Sequence, residues 1–199
     1  MQLNSQRLKA ISSQIDWNRP QWAILDQMFS LVKDSQLWAQ NFRVGRFERQ
    51  DAVSLVEKIQ GTPVFWFERD VIGPRRFTSI DYYGLVGLSA FNLGVRTAIL
   101  TEGVSDFLTM KMCYPNDNIL GFTTLGGNIK STKILLTLAD RIFLIGDNDS
   151  GKERNTGMLN VMHLKEVYES YGKEVKVWVP EAPFKDVTEK ILDTLKQSL

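Results

Sequence analysis

Three carboxylates stand directly after two apolar segments of the chain, and together they could hold a metal ion. Glu102 comes after the apolar run 97–100, and Asp147 and Asp149 come after the run 141–145. Like charges that meet in a fold repel one another unless a cation or a shared proton neutralises them. Oxygen ligands without histidine or cysteine favour Mg²⁺ or Mn²⁺ over zinc. These residues therefore predict a magnesium or manganese site, a kind of site that commonly binds substrate phosphates.

The position of these acids depends on a regular alternation of strands and helices after residue 80. The predicted strands are 97–100, 119–122, 141–145 and 175–179, and the predicted helices are 105–112, 134–138, 158–171 and a last helix that Asp186 caps. Such alternation predicts an α/β fold, a four-stranded parallel sheet flanked by helices. Chemistry in such sheets gathers beyond the carboxyl ends of the strands. The acids stand at those ends, although either acidic segment alone is also typical of a turn.

The chain before residue 80 has a different and less regular pattern. Helical spacing of apolar residues predicts helices at 3–15 and from Pro20 onward, and Asp51 could cap a short helix through Ile59. Pro63 precedes a β-rich run. We expect residues 1–79 to form a smaller, mostly helical or mixed N-terminal subdomain, and residues 80–199 to form the catalytic domain. A helix over 81–93 is expected to lead into the first strand of that domain.

Composition narrows the class of protein. Hydrophobic residues make up 43% of the chain, enough for a core, and no run approaches the roughly 18 apolar residues of a membrane span. We therefore expect a cytoplasmic protein without a membrane partner. The single cysteine, Cys113, excludes a zinc site built from cysteines. A formal net charge of +1 is too small for a basic coat on nucleic acid, although the first half is mildly basic and the second slightly acidic.

Three other motifs share residues with the second acidic segment. The run 146–152 begins like a phosphate-binding P-loop, but Glu153 replaces the Ser or Thr that would hold Mg²⁺. A calcium EF-hand would need Gly and Glu where the chain has Lys152 and Met158. A phosphatase with an aspartyl nucleophile remains open, because Asp147 follows a strand.

Two segments resemble the motifs of the TOPRIM domain. The sequence 101–106 (TEGVSD) is similar to its first motif, and 147–151 (DNDSG) is similar to its second. The resemblance covers roughly residues 80–195 with the expected order of strands and helices. It implies that Glu102 is a metal ligand or general acid/base, and that Asp147 and Asp149 are Mg²⁺ or Mn²⁺ ligands; these three are the expected catalytic residues.

Two further acids are implied by the resemblance alone. Asp106 matches an additional acid of the first motif, and Lys185-Asp186 resembles the lysine and aspartate that follow the fourth strand in primases. Both aspartates are therefore expected metal ligands. The primase pattern has another acid where this chain has Thr188, so Asp186 could equally be only a helix cap.

Within the TOPRIM proteins, the chain looks most like the catalytic core of bacterial and phage-type DNA primases. The resemblance implies synthesis of short primers on single-stranded DNA from nucleoside triphosphates, with a helicase on a separate chain. A nuclease and a non-catalytic DNA-binding module of a replication complex remain alternatives. The expected contacts to nucleic acid or nucleotide are basic: Lys152, Arg154, Arg75, Arg76, Arg43 and Arg46.

Overall fold

The chain builds two β-sheets, and one hydrophobic cluster joins them. The computed structural model describes residues 5–46, 51–123, 129–150 and 155–198. One sheet has four antiparallel strands and the other has five strands of mixed direction. Within the described ranges, no helix is both long and apolar enough to cross a membrane.

The N-terminal part combines short helices with the antiparallel sheet. Its elements are α1 (Ser5–Ser12), α2 (Gln21–Val32), 3₁₀ helices at Lys33–Ser35 and Leu37–Asn41, β1 (Phe42–Gly45), β2 (Ala52–Ile59), β3 (Thr62–Asp70) and β4 (Arg76–Asp81). The strands follow one another in the order β1-β2-β3-β4. The region therefore contains both helices and strands, and it is not mostly helical.

The predicted helix from Asp51 through Ile59 is wrong, because this segment is strand β2. Gln60 and Gly61 both have positive φ, +50° and +81°, and Ile59 pairs directly with Thr62. This geometry is a two-residue hairpin turn whose twist suits antiparallel strands. The apolar residues of the segment fit a helical period as well as a strand buried on both faces, so the long pairing with β3 decides between them.

The C-terminal part contains the mixed sheet and the helices around it. Its elements are β5 (Leu85–Val86), a 3₁₀ helix at Leu88–Ala90, β6 (Thr97–Thr101), α3 (Val104–Cys113), β7 (Ile119–Phe122), α4 (Ile129–Leu138), β8 (Arg141–Ile145), α5 (Thr156–Ser170), β9 (Glu174–Trp178) and α6 (Val187–Gln197). The strand order is β5-β7-β6-β8-β9, and β5 runs antiparallel to β7. The four expected strands, β6 to β9, pair in parallel. The sheet as a whole is nevertheless mixed, because β5 adds an antiparallel fifth strand that was not expected.

The predicted helix over 81–93 is also wrong. Its place is taken by the end of β4, strand β5 and a 3₁₀ turn. Gly84 and Gly87 have φ of +70° and +104°, which a right-handed helix does not accommodate. A Cβ at Gly87 would lie 2.6 Å from the carbonyl oxygen of Ile119, so the backbone packs against β7 more closely than any other residue would allow.

The core joins the two parts of the chain. Met28 of α2, Phe42 of β1 and Phe107 of α3 belong to one buried cluster, and the Phe42 and Phe107 rings lie 5.5 Å apart. A second cluster fills the opposite face of the mixed sheet beneath α4 and α5. The buried carboxylate of Glu57 in β2 also accepts hydrogen bonds from the backbone N–H groups of Gly87 (2.9 Å) and Ser89 (2.8 Å). The antiparallel sheet is therefore fixed against the edge of the mixed sheet.

Candidate active site

A cleft of about 210 Å³ opens at the carboxyl ends of the parallel strands. It is lined by four acids, two cations and three small residues: Arg76, Glu102, Gly103, Ser105, Asp106, Thr123, Asp147, Lys185 and Asp186. The acids converge because β6 and β8 are neighbouring parallel strands in which Thr101 pairs with Ile145. The chain that leaves each strand therefore enters the same cleft.

Glu102 lies against the loop that carries the second acidic segment. Its Oε2 accepts a hydrogen bond from the backbone N–H of Asp147 (3.0 Å). Burial raises the pKa of Glu102, and the charges of Asp147 and Asp149 raise it further, whereas the hydrogen bond from the Asp147 N–H and the nearby Asn160 amide lower it. The structure therefore brings residue 102 to the acidic loop, 45 positions away in the sequence.

Asp147 faces a cation that belongs to the protein. Its Oδ2 accepts a hydrogen bond from Lys185 Nζ at 3.2 Å, and the same ammonium group lies 3.9 Å from Asp186 Oδ2. Burial disfavours the charged form of Lys185, but the neighbouring carboxylates outweigh burial and raise its pKa. The side chain of Lys185 is 48% exposed, so it can reach a phosphate in the cleft without losing its charge.

Asp149 does not line the cleft. It is only 7% exposed, its Oδ2 accepts a hydrogen bond from Thr156 Oγ1 (2.8 Å), and its backbone N–H donates to Asn155 Oδ1 (3.2 Å). Asn155 Oδ1 also caps α5 by accepting from the N–H of Met158. These contacts tie Asp149 to the start of α5, and the metal-ligand role expected from the sequence stays a prediction.

Asp106 and Asp186 meet at the start of α6. Asp106 Oδ1 accepts hydrogen bonds from Thr188 Oγ1 (2.6 Å) and from the Thr188 backbone N–H (3.2 Å). Burial, followed by the charge of Asp186, raises the pKa of Asp106 to about 7. Asp186 Oδ1 accepts from the N–H of Glu189 (2.8 Å) and caps α6, as the sequence suggested. Thr188, the departure from the primase pattern, thus supplies a hydroxyl donor to Asp106 in place of another acid.

Only one of the predicted basic residues in the described part of the chain lines the cleft. Arg76 donates to the carbonyl oxygen of Thr123, and its guanidinium lies 5.6 Å from the centre of the Phe67 ring. Arg75 is exposed in the turn before β4. The other two, Arg43 and Arg46, are exposed on and just after β1, at the opposite edge of the antiparallel sheet. Lys152 and Arg154 lie outside the described residues.

The oxygen-rich cleft suits a hard divalent cation by its chemistry. Glu102, Asp106 and Asp186 each have a pKa that burial raises and that another carboxylate raises further, a repulsion that a divalent cation would relieve. Among the residues described, however, no three or more His, Cys, Asp or Glu side chains are already arranged around one metal position. Glu102 and Asp147, which line the same cleft and are hydrogen-bonded to each other, are candidates to hold such an ion.

Sequence reasoning missed one polar residue beside Glu102. Asn160 of α5 and Glu102 both line a small internal cavity of about 10 Å³, together with apolar residues. Gly157, Val161 and Leu164 on the same side of α5 are buried, so Asn160 is a polar residue on the buried face of an amphipathic helix. This position could have marked Asn160 in the sequence, because a buried amide needs a hydrogen-bond partner.

Comparisons with known proteins identify the fold. No family model matches the sequence, and no curated protein matches it. Among solved structures, the Aquifex aeolicus primase (zinc-binding and RNA polymerase domains) has a TM-score of 0.59 at 17% identity, over 97% of this chain and 53% of that one. The primase fragment of the bacteriophage T7 primase-helicase protein has a TM-score of 0.55 at 16% identity, over 86% and 67%.

A third solved structure is a DnaG primase catalytic domain bound to single-stranded DNA. It has a TM-score of 0.55 at 13% identity and covers 83% of this chain and 60% of that one. The chain thus spans little more than half the length of the Aquifex protein. With its mixed α/β sheet, the chain has a fold similar to that of DnaG-type DNA primase catalytic cores.

Proposed function

We propose that this chain catalyses metal-dependent nucleotidyl transfer on DNA, as a primase that makes short primers on a single-stranded template. The observation that carries the proposal is the meeting of Glu102 with the Asp147 loop at the ends of adjacent parallel strands. The cleft around them combines acids with Lys185 and Arg76, the two kinds of group that a nucleotide triphosphate needs. The likeness to primase cores supports the same activity.

In this proposal the acidic and the basic residues of the cleft have different roles. Glu102 and Asp147 would hold Mg²⁺ or Mn²⁺, which when bound lowers the pKa of a coordinated hydroxyl and stabilises charge on phosphate. Lys185 and Arg76 would bind and orient the triphosphate from the two sides of the cleft. In the alternative role of general base, Glu102 would accept the proton of the primer 3′-hydroxyl, and the raised pKa of its carboxyl would make it a stronger proton acceptor.

The other carboxylates and the N-terminal part have supporting roles in the proposal. Asp106 and Asp186 would bind the ion through water or after a small shift, and Asp149 would hold the acidic loop in shape. The segment 1–79 would bind the template, with the exposed Arg43, Arg46 and Arg75 contacting its phosphates. A helicase on another chain would be the partner.

Primer synthesis on a defined template tests the proposal. The full chain is incubated with a single-stranded oligonucleotide, nucleoside triphosphates and Mg²⁺ or Mn²⁺, and short products are resolved on a gel. We expect products from the unaltered protein and from Glu169→Gln, a control at the end of α5 remote from the cleft, and none from Asp147→Ala. Shortened template without triphosphates would indicate a nuclease instead. Template binding without any reaction would indicate a binding module.

A further inference from the structure

One face of the mixed sheet carries exposed aromatic and basic side chains beside α6. Along β8 the buried residues Ile142 and Leu144 alternate with the outward-facing Phe143 and Arg141. Along β9 the exposed residues are Lys176 and Trp178 on the same face, in addition to Glu174. Phe143 is 39% exposed and Trp178 is 41% exposed. We call Arg141, Phe143, Lys176, Trp178 and Lys190 the outer strip.

The outer strip leads away from the cleft. Trp178 is the last residue of β9 and pairs with Ile145, and its carbonyl oxygen accepts from the N–H of Gly146 (3.0 Å), the residue before Asp147. Phe143 lies two positions back along β8, on the neighbouring strand, so it is diagonal to Trp178 and the two Cα atoms are about 8 Å apart by strand geometry. Two rings placed in this way can each stack on a base of one extended single strand.

Each aromatic ring of the outer strip has a lysine beside it. Lys176 Nζ lies 5.6 Å from the centre of the Phe143 ring, and Lys190 Nζ lies 5.1 Å from the centre of the Trp178 ring. Arg141 adds a third cation to the strip, and Glu174, an acid exposed on the same face, lies 3.8 Å from Lys176 Nζ. The positive charge complements a phosphate backbone, whereas a docked protein would not need a cation over each ring.

We propose that the outer strip binds single-stranded nucleic acid that enters or leaves the cleft. Bases stack on Phe143 and Trp178, and Lys176 and Lys190 move from the rings to the phosphates. Open sheet faces with aromatic residues bind single strands in this way, since every base has a π-face. The part of the inference that connects the bound strand to the cleft rests on the proposed function. Binding to the outer strip itself can be measured without catalysis.

Fluorescence anisotropy of a labelled 20-nucleotide oligo(dT) tests the outer strip on the full chain without triphosphates. We expect Phe143→Ala with Trp178→Ala to weaken binding about tenfold or more, because base stacking on one ring contributes about 1–3 kcal/mol. Phe143→Tyr with Trp178→Phe should retain most of the affinity. Tyr171→Ala, which removes a 63%-exposed aromatic at the end of α5, is the control and should change nothing. A melting temperature for each variant shows that it is folded.

The charges give a second, independent readout. Lys176→Gln and Lys190→Gln should each reduce the slope of log affinity against log salt by about 0.7, the value for one phosphate contact to a single strand. The inference is overturned if the folded double alanine variant binds oligo(dT) as the unaltered protein does. It is also overturned if that variant instead loses a concentration-dependent self-association seen by sedimentation. Asp147→Ala should bind oligo(dT) normally and make no primers, so failure of the strip leaves the proposed function standing.

Discussion

Buried carboxylates have different neighbours in the two sheets. In the antiparallel sheet, Glu57 is completely buried and accepts backbone hydrogen bonds from Gly87 and Ser89, and Glu68 accepts from Ser54 Oγ at 2.9 Å. Burial raises the pKa of Glu57, and no other acid contributes to that shift. In the mixed sheet, the pKa of Glu102 is raised by burial and also by the charges of other carboxylates. A single satisfied acid is structural, whereas crowded acids indicate a site for a cation.

Strand direction explains the contrast. Parallel strands deliver all their carboxyl ends to one edge, so residues that follow β6 and β8 meet although they are distant in sequence. Antiparallel strands send alternate ends to opposite edges. In the antiparallel sheet, buried polar side chains instead pair with local backbone and with neighbouring strands. The predictions below set one acid of each kind against the other.

The largest expected effect is on activity. Asp147→Asn should lower primer synthesis by about 10²–10³-fold, the usual loss when one charge-stabilising group is removed from a reacting centre. Stability should change little. The substitution removes one negative charge from a cluster of like charges, and the ion pair that it removes, with the half-exposed Lys185, contributes little. Thermal melting with added Mg²⁺ checks the site: the ion should raise the melting temperature of the unaltered protein more than that of the variant. Equal shifts in both would contradict a site at Asp147.

The matched change in the antiparallel sheet should affect stability. Glu57→Gln places an amide NH₂ against a backbone N–H donor and loses one of the two hydrogen bonds, at a cost of about 1–3 kcal/mol in the free energy of unfolding. Urea unfolding measures the loss. Activity per folded molecule should be retained, and a variant that is stable but inactive would show that Glu57 also serves the reaction.

A smaller effect is expected beside Glu102. Asn160→Ala removes an amide beside Glu102 that lowers the pKa of that carboxyl. The acid limb of the pH–rate profile should therefore move to higher pH, and kcat should fall by about tenfold, since a polar group next to a charged one typically contributes about 1–2 kcal/mol. Asn160→Ser should restore part of the rate. An unchanged pH profile with lower stability would show that Asn160 only packs.

A further expected effect is a slope in stability with pH. The pKa of Asp106 rises from 3.8 to about 7 on folding, so between these values the folded chain binds more protons than the unfolded chain. Its contribution to the free energy of unfolding should therefore fall as pH rises from about 4 to 7, by at most about 1.4 kcal/mol per pH unit. Asp106→Asn should flatten the slope measured without divalent ions. An equally steep slope in the variant would show that a group other than Asp106 binds the extra proton in the folded chain.

Some of the fold could be predicted because its signals are local. The runs that became β6, β7, β8 and β9 are short, apolar and bounded by glycine or polar residues, and Asp186 caps α6 where the sequence suggested. The two helices predicted at 51–59 and 81–93 failed for the opposite reason. Their apolar residues suit either period, and distant pairing chose strands.

By itself, the sequence determined which residues carry charge and that Glu102 and Asp147 follow apolar strands. Only the tertiary structure decided which carboxylates share the cleft, that Asp149 turns toward Thr156, and that Thr188 donates to Asp106. The reason is physical. Residue type and spacing act over a few positions, whereas the direction of a side chain at a loop depends on packing by α5 and α6, which come from remote parts of the chain.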